Sequence, residues 1–558
     1  MKDMDSKQKD ERDCSATVRI TIVAVIVMLV GISFVPPYTI SGISLRRANI
    51  LSELVSFDDA GTEQNKAITE EDILDFELDE YAEAEEPEDD DEADLQIQME
   101  EDSEMSYRWL IADDDGELRE PVLRRELPSQ KDTARIHDKL VPLEDYDTAA
   151  VSRLTLLCRK MAECRRPVRI AFFGDSFVEG DILTGDLRTL LQQSYGGSGF
   201  GFAPADSPLT AYRRTVKTKS KGWTSYNLMQ YDRTPADLRS AYSVTGWVSR
   251  PTDGASTRWE RPDTDAIAEE STEARVLFLS TGDSRIEVVI NDTISRSFDI
   301  ERNAAVREVC VEHPEGIRSL TLRVLSGADG FVGYGVVFGC ADCGVEVDNY
   351  SIRSNNGQAM LRTDPAINEQ IDRILDYDLV VLQYGLNIMQ QGVSDYRGYG
   401  RVVDRMVNYV RRCFPNAAIL ILGVSDRSVR DASGSFVAMD AVPHLTAEQR
   451  DAARRNSAAF WPTADAMRAL GGMPAFVQNG WAGKDYTHIN FAGGRRVAEM
   501  LFDALNARVA EVSAVSKIET GGEALDSLRR TKLENDLLLP PIMDSTVVIS
   551  AAVEAEKR

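Results

Sequence analysis

Val168-Arg-Ile-Ala-Phe-Phe-Gly-Asp-Ser176 is the stretch on which the reading of this 558-residue chain turns. A run so short and apolar, closed by Gly174, predicts a buried strand rather than a helix. Just downstream, Asp181 to Tyr195 places Leu183, Leu187, Leu190 and Leu191 on one helical face, giving the order strand, turn, helix. Ser176 is then expected at the carboxyl end of a strand with its amide near a helix start, where open α/β sheets collect their ligands.

The same rhythm returns after residue 345, with strands expected at Leu379–Gln383 and Ala418–Gly423 and helices at Gly398–Cys413 and Ala492–Val509. Upstream, Tyr146 to Cys164 also has helical spacing. Strands alternating with helices predict a mostly parallel sheet covered on both faces, a three-layer α/β/α domain. Between them the pattern changes. Ala274–Ser280, Arg285–Ile290, Ser319–Leu325 and Gly333–Phe338 are short β-branched runs with turn residues between, which predicts an all-β, sandwich-like insert. The α/β domain is thus expected in two pieces, 136–239 and 346–512, around an insert at 240–345, with a tail at 513–558 that has no clear periodicity.

Towards the N-terminus, Thr21 to Leu45 carry no charged side chain, and Ile20 to Val35 is apolar enough to cross a bilayer. The expectation is a cytoplasmic segment at 1–17 and a single transmembrane anchor at 18–40. Lys2, Lys7, Lys9, Arg12 and Arg19 precede it, which by the positive-inside rule puts the rest of the chain outside the cytoplasmic membrane. A cleaved signal peptide is the competing reading, and it exports the chain as well. The net charge of −29 is concentrated: residues 57–104 hold 23 acidic side chains against Lys66 alone. From 41 to 135 the sequence is too polar to offset its chain entropy and reads as a disordered acidic tether. Such acidity argues against nucleic acid as a partner, which needs lysine and arginine to displace phosphate counterions.

Seven cysteines fit an exported chain. Cys340-Ala-Asp-Cys343 lacks the second ligand pair of a zinc site and the strand-to-helix start of a redox motif, so a disulfide or buried thiols are expected there. Arg213, Arg214, Lys217, Lys219 and Lys221 suit either an acidic glycan or an edge strand kept soluble by lysines, the second being the simpler reading.

Three blocks carry chemistry. Gly174-Asp175-Ser176 follows the first strand, Tyr384-Gly-Leu-Asn387 follows the next, and Asp485-Tyr-Thr-His488 precedes the last helix. Asp485, three residues ahead of His488, suits a carboxylate that fixes an imidazole tautomer and leaves Nε2 to take a serine proton. Asn387 either caps its loop or aims an amide at a developing oxyanion. In this order and spacing the blocks resemble the SGNH/GDSL hydrolase family, over roughly 165–205 and 345–510. The resemblance implies Ser176 as nucleophile, His488 as base and Asp485 as its orienter. It also implies an oxyanion hole made by the Ser176 amide, the Gly357 amide and the Asn387 side chain. The Gly357 assignment rests on Ser351-Ile-Arg-Ser-Asn-Asn-Gly357, a longer turn than in the simplest members, where Ser354 competes for the place.

Gly180–Arg188, Gly196–Phe200 and Ala458–Pro462 look like exported bacterial members with a β-sandwich insert, similar to peptidoglycan and polysaccharide O-acetylesterases. The activity this resemblance implies is that of a serine esterase removing an acyl group, expected to be acetyl, from a cell-envelope or extracellular glycan, through an acyl-enzyme and with neither metal nor organic cofactor. An O-acetyltransferase would use the same site, and a non-catalytic glycan-binding envelope protein would keep the fold without needing it.

Overall fold

In Val168–Phe173 neighbouring side chains point to opposite faces of a sheet, and all six are buried, so two helical layers must cover this strand. The computed structural model has that arrangement. It describes residues 106–111, 136–163, 166–208, 213–262, 270–340, 344–431 and 433–518, with short strands at Tyr38–Ile40, Ile43–Leu45 and Lys66–Ala67. The chain divides into residues 1–64 and 65–558; in the first, the two short strands pair as an antiparallel hairpin.

In the larger unit a six-stranded sheet runs Gly344–Asn349, Pro167–Gly174, Leu379–Gln383, Ala418–Leu422, Ala459–Trp461 and Glu144–Asp145. The first five strands are parallel and the last is antiparallel. Val168, Ile170 and Phe172 share a core with Leu154 and Leu157 of helix Arg153–Glu163, Leu187 and Leu191 of Thr184–Tyr195, and Val497 and Leu501 of Phe491–Ile518. Ala171 and Phe173 face the other way, into a core with Ile371, Val402, Met406 and Leu445 from helices Pro365–Leu375, Arg397–Cys413 and Ala441–Arg455. One strand thereby ties both layers together. The mixed α/β class and its layered central domain agree with the sequence pattern.

The second sheet has ten strands and is largely antiparallel. Its two sectors meet at the single pair Gly333↔Ser249, and both bury side chains in one core that includes Trp259, Phe278, Ile286, Val309 and Leu320. The expected span of 240–345 is corrected at both ends. Gly201–Pro204 pairs with Phe331–Gly339, and Lys217–Asn227 pairs with Trp247–Glu260, whereas Gly344–Asn349 belongs to the central sheet. Lys217, Lys219 and Lys221 obscured the start because they stand exposed on a strand with one paired neighbour, as edge protection requires.

A second correction concerns the segment read as a tether. Ser106–Leu110 adds in parallel to the outer edge of Asn303–Ile317, with Trp109 buried against Phe298 and Arg108 paired to Glu312. Its alternation is only five residues long inside acidic sequence, too little for a pattern to register. The remainder of 41–135 up to 105, and 112–135, lies outside the described residues apart from the short strands, as do most of the segment 18–40 expected to be an anchor and the tail beyond 518. Among the described residues no helix is long and apolar enough to cross a membrane. Cys158, Cys310 and Cys413 are buried free thiols and Cys340 is half-buried, while Cys164 and Cys343 fall outside the described residues.

Candidate active site

Gly174 ends its strand under steric compulsion, since a Cβ there would overlap the Val178 side chain and the Gln383 carbonyl of the neighbouring strand. The chain then turns sharply, with Phe177 N–H donating to Asp175 Oδ1 at 2.9 Å and Val178 N–H to Asp175 O at 3.2 Å. Asp175 is fully buried and Ser176 half-buried at the carboxyl end of the sheet. Burial pushes the Asp175 carboxyl up to about 7, with Glu179 nearby adding to the rise and the Phe177 and Leu386 amides opposing it.

The adjacent parallel strand is in register Gln383↔Gly174, so its loop emerges beside the serine turn. Gly385, at φ +122, reverses that loop into the single turn Leu386–Ile388. Asn387 Nδ2 donates to Asn355 O at 2.9 Å and reaches Asp175 Oδ2 at 3.5 Å. Asn387 thus bridges the serine turn and the segment that contains Gly357. The Gly357 amide, at φ +95, donates to Asn355 Oδ1 at 2.8 Å in this structure. Ser354 sits half-buried nearby in the chain at φ +60.

Asp485 and His488 lie in the loop before the long last helix. His488 Nδ1 and Asp485 Oδ2 are 2.7 Å apart, and Asp485 Oδ1 accepts from the amides of Thr487 at 3.1 Å and His488 at 3.2 Å. Partial burial opposes ionisation of Asp485, but these three donors outweigh it and hold the carboxyl below its ordinary value. The start of that helix is fastened to the chain just after the serine turn. Gly494 packs directly on the Ile182 carbonyl, Arg495 Nε donates to Asp186 Oδ1 at 2.9 Å, and Arg214 lies 3.7 Å over the Phe491 ring. The acid–histidine loop is therefore held at the same end of the sheet as Ser176. Among the described residues neither Ser176 Oγ nor His488 Nε2 has a hydrogen-bond partner, which leaves a hydroxyl and a ring nitrogen open to a ligand.

Several supporting residues carried no sequence signal. Glu179 accepts from both the backbone and the side chain of Arg353, tying the turn after Ser176 to the segment before Gly357. Asn349 Nδ2 donates to Val178 O and Thr184 Oγ1. Gln449 joins two strand-end loops, accepting from Val424 N and donating to Tyr384 O, both at 2.8 Å. All are long-range partners that only the fold brings together. Arg213, from the basic run, has its side chain largely covered and paired with Asp181 at 2.8 Å, and so is not free for an acidic ligand. A small pocket between the two sheets is lined by Glu179, Arg213, Asn349 and Ser351 together with Phe202 and Trp247 from the β-module.

The layered central sheet and the largely antiparallel second sheet define a mixed α/β protein. Its fold matches that of a peptidoglycan O-acetylesterase with a TM-score of 0.55 and 22% identity, over 66% of this chain and 99% of the other. A Bacillus subtilis protein (12% identity, 58% of this chain and 99% of that one, TM-score 0.24) and a family two carbohydrate esterase from Clostridium thermocellum (15%, 46% and 93%, 0.21) match too loosely to carry an argument. No protein-family profile matches the sequence, and no curated protein does.

Proposed function

We propose that this chain is a serine esterase that removes acyl groups, acetyl in the simplest case, from a glycan outside the cytoplasmic membrane. The observation that carries the reading is the Asp485–His488 pair, 2.7 Å apart, at the sheet end that also presents Ser176, with Nε2 and the serine hydroxyl unpartnered among the described residues. Ser176 Oγ attacks the ester carbonyl carbon while His488 Nε2 takes its proton, and Asp485 steadies the imidazolium. The tetrahedral oxyanion collapses to an acyl-enzyme as the bond to the sugar oxygen breaks, and His488 gives its proton to that oxygen, releasing the sugar hydroxyl. Water repeats the sequence, releasing the acid and restoring Ser176.

For the oxyanion, the Ser176 amide and Asn387 Nδ2 are the assigned donors. The Asn387 contact to Asp175 is at the long limit of a hydrogen bond, so that hydrogen is the one to redirect. Gly357 joins them once its amide exchanges Asn355 Oδ1 for the oxyanion. A glycan substrate is supported by the pocket shared with the β-module beside the serine turn, and by the fold likeness to the O-acetylesterase. The charge-free run Thr21–Leu45 behind five basic residues supports a single-pass anchor.

An O-acetyltransferase would differ only in handing the acyl group to a sugar hydroxyl, which product analysis with an acetyl donor and a glycan acceptor separates. A non-catalytic glycan-binding protein would have no need of the serine, histidine and aspartate. Ser176→Ala is expected to abolish hydrolysis of para-nitrophenyl acetate with an unchanged melting temperature, because a half-exposed hydroxyl adds little to packing. Wild-type rates in that variant would end the proposal.

A further inference from the structure

Between Asp485 and His488 the backbone does something a bulky residue avoids: Tyr486 sits at φ +55, in the left-handed region. That conformation lets Asp485 Oδ1 collect the amides of Thr487 and His488 while Oδ2 meets the imidazole. A strained residue persists only where its surroundings over-determine it. Here the surroundings belong to another part of the chain. The antiparallel hairpin formed by Ser428–Arg430 and Phe436–Ala438 lies over the loop. Its Ser428 N–H donates to Tyr486 O at 3.1 Å, and the Phe436 ring stacks on the Tyr486 ring with centroids 3.4 Å apart and planes at 11°. Arg430 lies 4.9 Å from the centre of the Phe436 ring, and Met439 N–H closes the hairpin base on Arg427 O at 2.9 Å. Arg427 in turn faces Asp485 closely enough for their charges to couple.

We infer that this hairpin is a positioning clamp for the acid–histidine pair, with Phe436 and Tyr486 as its jaws. Neither ring is assigned a chemical role. Their stack holds Tyr486 left-handed, and the left-handed turn holds Asp485 where it can select the Nδ1–H tautomer of His488. The inference rests on the esterase reading of the site, but the clamp itself is a statement about the imidazole and can be measured without turnover.

The test uses the full chain and compares Phe436→Ala, Phe436→Trp, Tyr486→Phe and Tyr486→Gly. Readouts are kcat and KM on para-nitrophenyl acetate, melting temperature, and the His488 tautomer from ring ¹⁵N shifts, assigned with His488→Gln. Loss of the stack is expected to lower kcat by about tenfold to a hundredfold with little change in KM, as a displacement of about 1 Å near reacting groups does. The neutral imidazole should also shift towards its Nε2–H form. Phe436→Trp and Tyr486→Phe keep a stacked ring and should retain both properties. Tyr486→Gly relieves the backbone strain yet removes a jaw, and should behave as Phe436→Ala does. Wild-type kcat and tautomer in Phe436→Ala or Tyr486→Gly would overturn the clamp, as would a kcat loss that merely follows a fall in melting temperature. If Ser176→Ala turns over like wild type, the esterase reading fails while the tautomer measurement still decides the clamp.

Discussion

Asp175, next to the proposed nucleophile, is a carboxylic acid held fully buried. Its carboxyl is buried among amides and pushed up to about 7, so the folded state binds a proton that the unfolded chain releases near pH 4. The associated stability is complete below that unfolded value, declines as pH rises, and is gone above about 7. Asp175→Asn should therefore lack this component. Plotted against pH, the difference in melting temperature between wild type and variant should move in the variant's favour from pH 4 to 7 and then level off. Glu346 and Asp372, also pushed up to about 7 by burial, titrate in both proteins and cancel in that difference. A flat difference would show that Asp175 ionises freely. Asn387 tests the other half of the turn. As an oxyanion donor, its replacement by alanine should lower kcat by roughly 10²- to 10³-fold with KM little changed. A loop cap would instead give near-normal kcat and a loss of about 1 kcal/mol in stability.

Among the elements, the strand Ser106–Leu110 stands out because long stretches outside the described residues flank it while Trp109 is 4% exposed. Parallel addition to Asn303–Ile317 covers an edge that would otherwise offer unpaired backbone groups. Trp109→Ala is expected to weaken this docking by about 3 kcal/mol, the low end for removing a buried aromatic side chain. The strand is separated in sequence from the site, so the change should appear as faster proteolysis near residues 106–111 with unaltered ester turnover. Unchanged cleavage would mean that backbone pairing alone holds the strand.

For the molecule as a whole, the acidic stretch at 57–104 and the apolar run before it set a further expectation. The full chain should fractionate with membranes and resist extraction by high salt, because an apolar span is held by the bilayer core rather than by charge. A protein starting near residue 136 should be soluble. Recovery of a native, N-terminally shortened soluble protein would instead identify the segment as a cleaved signal peptide.

The local sequence was enough for elements with a short-range signature. Leu379–Gln383 spans the strand found, Val168–Phe173 lies within one, and Gly398–Cys413 begins one residue inside its helix, because periodicity is written in neighbouring residues. The three polar blocks could likewise be located, since each directly follows a buried strand or precedes a helix. Other features had no local mark. The true start of the β-module at Gly201 and the docking of Ser106–Leu110 depend on strands pairing across long separations, where edge lysines and acidic flanks hide the pattern. The same holds for Glu179 with Arg353 and for Gln449 with Tyr384, whose hydrogen bonds join residues 174 and 65 positions apart. The left-handed Tyr486 is the sharpest case. Sequence placed Asp485 three residues before His488, but only the hairpin packed on that loop decides the backbone turn that brings carboxylate and imidazole together.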